Sequence, residues 1–342
     1  MTQSTASDAP PRKPIRSIVP SDYVDGVYSI LNPQVGSTRS GKPFLKCILR
    51  DASGECPARQ WTIDDTDVPS LKATGFVWIA GRAESYQDQL QIVIEQIRTI
   101  EVTPEELREL VPSSRFDIDM MFGEVRSLLE TIEDPAANAL AQAYLNDEKL
   151  MMRFREAPAA VSLHHAWLGG LLEHTWQLMR LAERMLPLYP ALNRDLVLLG
   201  LFLHDLGKTT ELSWNRGFHY TAQGELIGHI VIGALWLDRK VREVAEAGGT
   251  ILQNKAHLVL THIILSHHTE PEFGAAKRPS TPEAIFIALL DNLDARTAMS
   301  VQHARPELSE DGPQQTQQSL FTDKVWALET KLYCPDPFRS DE

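Results

Sequence analysis

The chain has 342 residues, enough for two or three domains that each bury a core, and its 43% hydrophobic and 23% charged content is that of an ordinary globular protein. A net charge of −13 disfavours nucleic-acid binding by bulk charge alone, and no apolar run approaches the roughly 18–20 residues of a membrane span. Cys47, Cys56 and Cys334 are odd in number and lack CxxC spacing, which argues against a disulfide scaffold and a thiolate zinc ribbon. With no apolar stretch in MTQSTASDAPPRKP to act as a signal peptide, a cytoplasmic location is expected.

Residues 1–15, rich in Ser, Ala and Pro, read as a disordered tail. Residues 16–102 carry five short β-rich runs, DYVDGVYSI, KPFLKCILRD, ECPARQWTI, GFVWIAGRAESY and LQIVIEQIRTI, parted by turn signals. Five such strands predict a small Greek-key barrel of the OB-fold type. Aromatic and basic residues there are candidates for holding a single strand by stacking and phosphate contacts. Phe44, Trp61, Arg39 and Lys42 lead the set, with Tyr86, Lys46 and Arg59 behind them, whereas Trp78 reads as core. Residues 1–102 carry 11 Lys/Arg against 12 Asp/Glu, so only modest affinity is expected from the barrel by itself.

At Pro104 the period changes. TPEELREL has a Thr N-cap, Pro at the first helical position and acids in the first turn. Residues 103–160 read as a helical linker. Residues 161–302 read as an all-α domain with helices over 162–186, 194–206, 224–245, 255–267 and 282–299. Residues 303–342 form a C-terminal extension whose LFTDKVWALETKLY segment packs back as helix or strand. The fold class is therefore multidomain α+β.

All 11 histidines lie at or beyond residue 164, and the apolar helices each carry a polar intruder. These are His174 in GGLLEHTWQLM, His204-Asp205 in LLGLFLHDLGK, His229 in ELIGHIVIG, His267-His268 in VLTHIILSHHTE and Asp291 in AIFIALLDNLDAR. One buried histidine is ordinarily a satisfied core residue. Five helices repeating the pattern are satisfied together by a metal centre. Imidazole and carboxylate without thiolate suit Mn, Fe, Co, Ni or Zn. His229, His267 and His268 provide nitrogen for a second ion, and paired ions are a common device for phosphate-ester hydrolysis. No GxxxxGK[ST] loop and no Ser/His/Asp or Cys/His nucleophile arrangement is present.

The order His174, His204-Asp205, Asp291 resembles the HD superfamily of metal-dependent phosphohydrolases. More closely, HHAWLGGLLEHT, NRDLVLLGLFLHDLGKTTEL, GELIGHI, LSHH, DNLDAR and FTDKVWALE follow one another as in the YhaM-type 3′→5′ exoribonucleases, which also carry an N-terminal OB-fold. The resemblance spans about residues 20–335. It implies that His174, His204, Asp205 and Asp291 are core metal ligands and that His229, His267 and His268 are the extra ligands of a dinuclear member. It implies that Lys208 faces the phosphate, and Asp205 is the candidate proton acceptor. His164 and His165 either contact substrate or cap the helix bearing His174, and Glu173 has no assigned role.

The expected activity is metal-dependent 3′→5′ hydrolysis of single-stranded RNA to nucleoside monophosphates. The expected cofactor is a divalent metal, Mn²⁺ first, one or two ions, with Fe, Co, Ni or Mg as alternatives. DNA is an alternative substrate, no membrane is expected and a homo-oligomer is compatible. Three rivals share parts of this reading: an HD phosphohydrolase of nucleotides or cyclic nucleotides with a regulatory barrel, a DNA-directed nuclease, and a nucleic-acid-binding protein with an inactive HD site. The cyclic-di-GMP branch is disfavoured because HHTEPEFGAAKRP lacks its Gly-Tyr-Pro motif.

Overall fold

The computed structural model describes residues 12–38, 41–61, 71, 75–86, 89–161, 165–215, 217–305, 320–336 and 338. The chain divides into two compact units, one running to Ser113 and joined by Trp214–Gly217, the other holding the remainder.

The first unit is a closed barrel of strands β1 (Tyr23–Ser37), β2 (Pro43–Asp51), β3 (Gly54–Gln60), β4 (Phe76–Tyr86) and β5 (Gln89–Thr99), in the order β1-β2-β3-β5-β4. β1 is long enough to serve both neighbours: Tyr23–Ser29 pairs with β4 and Ser29–Ser37 with β2, with a register shift between Leu31 and Gln34. A parallel pairing of Ala58 with Ile92 and Arg59 with Val93 closes the ring. This is the five-stranded Greek-key barrel of the OB-fold. Its interior is filled by alternate residues of each strand, among them Val24, Tyr28, Leu45, Leu49, Ile79 and Ile92, all fully buried. The β4–β5 register shifts between Ala80 and Gly81, where Glu95 is the extra residue on β5. A Cβ on Gly81 would stand 2.3 Å from the Val93 carbonyl oxygen, so the two strands approach too closely for any side chain.

Residues 12–15, expected in a disordered tail, are instead bound to the barrel. The buried Asp51 carboxylate accepts the Ile15 N–H at 3.0 Å and pairs with Arg12 at 3.4 Å, and Ile15 joins the barrel core. Residues 1–11 lie outside the described residues. The stretch 103–160 is shared between the units, in place of a separate linker. Helix α1 (Pro104–Leu110), started by a Thr103–Glu106 capping box, belongs to the first unit, and the Ala52 N–H donates to Glu109 O at 3.1 Å. Helices α2 (Ile118–Glu130), α3 (Pro135–Leu145) and α4 (Glu148–Glu156) belong to the second. Their apolar faces are buried there, since short amphipathic helices gain stability from packing.

The second unit continues with α5 (Gly170–Met185), α6 (Arg194–Leu203), α7 (Lys208–Glu211), the small hairpin β6 (Leu212–Ser213) and β7 (His219–Tyr220), α8 (Ala222–Ile227), α9 (His229–Glu246), α10 (Asn254–Ser266) and α11 (Pro282–Ala304). α5, α6, α10 and α11 pack on one another around Leu171, Leu199, Leu260 and Ile287. α5 starts at Gly170, where the sequence pattern predicts a start at 162: Gly169 takes φ +77 and residues 165–169 are non-helical, while 162–164 lie outside the described residues. The helix predicted over 224–245 is broken at Gly228, also at φ +77, and the break makes His229 the first residue of α9. The C-terminal LFTDKVWALETKLY segment is neither a full helix nor a full strand. It is a short irregular hairpin bridged at Phe321–Tyr333 and Val325–Thr330, with Val325 and Leu328 packed on Met299.

Two alanine substitutions separate close packing from chain entropy. Gly81→Ala is expected to lower the barrel's unfolding free energy by roughly 1–3 kcal/mol. Gly123→Ala, at an exposed helical site where a Cβ meets nothing within 4 Å, is expected to raise stability by about 0.5–1 kcal/mol. Urea unfolding followed by fluorescence and circular dichroism reads both.

Candidate metal centre

The apolar run Leu196–Leu203 is the buried helix α6, capped by Asn193, which accepts the Leu196 N–H at 3.0 Å. It delivers His204 and Asp205 to the core at 0% and 2% exposure. Chain ends and breaks bring the other donors to the same point. His174 comes from the second turn of α5, His229 from the start of α9, His267 and His268 from the end of α10, and Asp291 from the middle of α11.

Distances define Asp205 as the hub. Its Oδ1 lies 3.3 Å from His229 Nε2 and 3.4 Å from His267 Nε2, and its Oδ2 lies 3.4 Å from His204 Nε2 and 3.8 Å from His174 Nε2. Asp291 Oδ1 is 3.2 Å from His174 Nε2. His268 joins His229, His267 and Asp205 in one ligand-sized group, and His174, His204 and Asp205 form another. Asp205 is common to both.

The opposite nitrogen of each ring decides what faces the hub. His204 Nδ1 lies 2.7 Å from Leu201 O, His267 Nδ1 2.9 Å from Ile264 O and His268 Nδ1 2.7 Å from Phe273 O. A carbonyl oxygen only accepts, so Nδ1 carries the proton and Nε2 presents a lone pair. Glu211 does the same for His229, accepting from Nδ1 and from the backbone N–H, both at 2.9 Å. The Nε2 atoms of His204, His229 and His267 and Oδ1 of Asp205 are buried without a hydrogen bond. Three lone pairs aimed at an anionic oxygen, out of water, repel one another unless a cation lies between them. The donor set of imidazoles and carboxylates fits a divalent metal ion.

The electrostatics agree. Burial raises the Asp205 carboxyl, but Lys208 and His204 outweigh it and hold it well below the ordinary carboxylate range. Burial pushes His267 down, and burial with the neighbouring His267 and His229 pushes His268 down to about 3, so both stay neutral ligands. His174 differs: burial lowers it, but Asp291 and Asp294 more than offset this and raise it to about 10.

Lys208 is paired within the cluster. Its Nζ is 2.7 Å from Asp205 Oδ2, and its side chain keeps 14% exposure. His165 is not at a substrate surface. It is 1% exposed, at φ +54, with Nε2 3.0 Å from Asp294 Oδ2. His164 lies outside the described residues. Glu173 is buried and accepts from Trp167 Nε1 at 2.8 Å. Two supports went unassigned at the level of sequence. Asp294 accepts from His174 Nδ1 at 2.8 Å as well as from His165, and Glu211 holds His229. The i,i+3 spacing of Asp291 and Asp294 on α11 was the available signal for the first. Gly207 permits the second, since a Cβ there would meet His229 O at 2.2 Å.

On the barrel, Phe44 and Trp61 lie 5.5 Å apart and Trp61 is 47% exposed. Arg59 sits between Trp61 and Tyr86, at 5.9 and 5.2 Å from their rings. Lys42 is exposed in the β1–β2 turn, and Arg39 lies outside the described residues. Trp78, expected in the core, is only half-buried. Its Nε1 donates to Asp25 at 2.9 Å and Arg98 covers its ring at 4.6 Å.

A helical unit organised around a His-Asp hub is an HD-type metal-binding domain, and the HD domain family model matches residues 171–296. Relatives are similar over nearly the whole chain. The 3′-5′ exoribonuclease YhaM of Shouchella clausii is 32% identical, over 95% of this chain and 97% of its own. That of Bacillus pumilus is 30% identical, over 93% and 96%. The chain belongs to the YhaM 3′-5′ exoribonuclease family. Among solved structures, the second OB-fold domain of replication protein A from Methanococcus maripaludis aligns with 27% of this chain and 96% of its own, at 16% identity and a TM-score of 0.20. RecG bound to a three-way DNA junction aligns with 89% of this chain and 40% of its own, at 14% identity and a TM-score of 0.24. Scores this low carry no weight for fold or function.

Cation binding must displace the His174 proton. Below about pH 10 the apparent metal affinity is therefore expected to rise with pH, by about tenfold per unit for one exchanged proton. Calorimetric titration of metal-free protein with Mn²⁺, in buffers of different ionisation enthalpy, counts the proton. Glu211→Ala is expected to weaken the metal by about 10–100-fold, read in the same titration.

Proposed function

We propose that this protein is a metal-dependent 3′→5′ exoribonuclease that shortens single-stranded RNA and releases nucleoside monophosphates. The observation that carries the reading is the set of buried, unpartnered Nε2 lone pairs turned on Asp205, in a chain of the YhaM family. His174, His204, Asp205 and Asp291 hold one divalent ion in this reading, and His229, His267 and His268 with Asp205 hold a second. Mn²⁺ is the proposed metal; imidazole and carboxylate donors without thiolate accept it along with Fe, Co, Ni and Zn. A divalent ion bound there supplies Lewis acidity that lowers the pKa of water toward about 7 and counter-charge for the phosphoryl oxygens.

The chain's own groups do the rest. Asp205 holds charge and does not take up protons, because Lys208 and His204 keep its carboxyl so far below its ordinary value. Burial works against the charge on Lys208, but Asp205 more than offsets it, so the ammonium persists at neutral pH and adds positive charge beside the scissile phosphate. His165 and Asp294 act through His174, fixing its ring. The barrel supplies a stacking platform in Phe44, Trp61 and Tyr86, with Arg59 and Lys42 for phosphates, and its covalent attachment raises the effective concentration of RNA at the metal centre. Among the described residues no helix is long and apolar enough to cross a membrane. Free, buried cysteines suit a reducing cytoplasm, the proposed site of action.

The test is a 5′-labelled single-stranded RNA incubated with Mn²⁺ and resolved on a gel. A progressively shortening ladder is expected, abolished by chelation. Asp205→Asn is expected to reduce turnover by roughly a hundred-fold or more, beyond the 10–100-fold usual for losing an outer partner. Internal cuts, or full activity of Asp205→Asn, would overturn the assignment.

A further inference from the structure

Residual exposure locates the mouth of the metal centre. His204, Asp205 and His267 are sealed at 0–2% exposure. The side chains of Lys208, Asp291 and His229 keep 14%, 16% and 10% of their surface, and His268 is half-buried. Through these four residues the cluster keeps contact with solvent.

Phe273 adjoins one of them, His268. Its carbonyl oxygen accepts from His268 Nδ1 at 2.7 Å, so one short loop holds the metal ligand and carries the phenyl ring. The loop is held by its own backbone. Phe273 N–H donates to Glu270 O at 3.0 Å, Gly274 N–H to Pro271 O at 3.0 Å, and Ala276 N–H to Leu265 O of α10 at 2.9 Å. Arg278 pairs with Glu270 at 2.6 Å across its base. This ordered loop nevertheless leaves the ring 68% exposed. Tyr220, 48% exposed, is tied to the same edge: the Thr221 N–H donates to Glu211 O at 2.9 Å, and Glu211 carries His229. The His229 and His268 rings are 5.1 Å apart, so two exposed aromatics are anchored through two adjoining ligands.

We propose that Phe273, assisted by Tyr220, is the stacking platform for the 3′-terminal base of the RNA. The inference rests on the nuclease reading above. A flat ring in a rigid loop accepts any base face, which gives grip without sequence preference. An exonuclease needs its terminal nucleotide held in one register relative to the metals, and a ring fixed through His268 gives that register directly. The exposed Lys277 follows in the same loop as the cation offered to a backbone phosphate, Arg278 being paired with Glu270.

The experiment uses full-length protein with Mn²⁺ and two single-stranded RNAs, one with an intact 3′-terminal nucleotide and one with an abasic 3′-terminal ribose. Phe273→Ala keeps the carbonyl that holds His268, so its metal content and unfolding temperature are expected to match the wild type. On intact RNA its KM is expected to rise on the order of tenfold with kcat nearly unchanged, and Phe273→Tyr to restore it. On abasic RNA the wild type is expected to show the same raised KM, and Phe273→Ala to lose nothing further. Wild type that shortens RNA while Phe273→Ala is unimpaired, or is equally impaired on both substrates, overturns the stacking assignment alone. Wild type that leaves every RNA intact overturns the nuclease reading and the subsite with it.

Discussion

A carboxylate at 2% exposure, Asp205, lies within 3.3–3.8 Å of four imidazole Nε2 atoms. Such a group is costly to bury, and lone pairs turned toward it add to the cost. Only positive charge makes the arrangement sound. Lys208 supplies one unit from one side, and the lone-pair geometry calls for metal cations from the other. The helical unit is built to hold this otherwise unfavourable cluster in place.

The holding is done by groups that never touch the hub. Backbone carbonyls of Leu201, Ile264 and Phe273 fix three rings in one tautomer, and Glu211 and Asp294 fix two more. Rings set by backbone are as rigid as the helix ends that bear them. The left-handed Gly169 and Gly228 start α5 and α9 where His174 and His229 are needed. Gly207 lets the turn after Asp205 close against the His229 backbone. The unit spends conformational freedom on ligand geometry, as a preorganised centre requires.

The barrel follows a different logic. It closes on itself by one parallel pairing and keeps Phe44, Trp61, Arg59 and Tyr86 as an aromatic and basic group on its outside. Near-neutral charge in this region fits a module that grips bases by stacking more than phosphates by bulk attraction.

Periodicity and residue type determined much of this protein before any coordinates. Alternating β-rich runs gave five strands, four close to their final bounds and β1 running on to Ser37 past the expected Ile30, and polar residues inside apolar helices marked the members of the Asp205 cluster, because burying so many polar groups has few physical solutions. Tertiary structure alone decided the rest. Asp294 and Glu211 act through rings 120 and 18 residues away, and spacing along a helix marks a face without naming the ring it meets. His165 reads as a substrate contact until its burial beside Asp294 is seen, and Trp78 as core until Asp25 and Arg98 are found against it. Residues 12–15 look unstructured by composition, yet the buried carboxylate of Asp51 binds them. Sequence sets which groups must be buried or paired; which group pairs with which depends on distances that exist only once the chain has closed on itself.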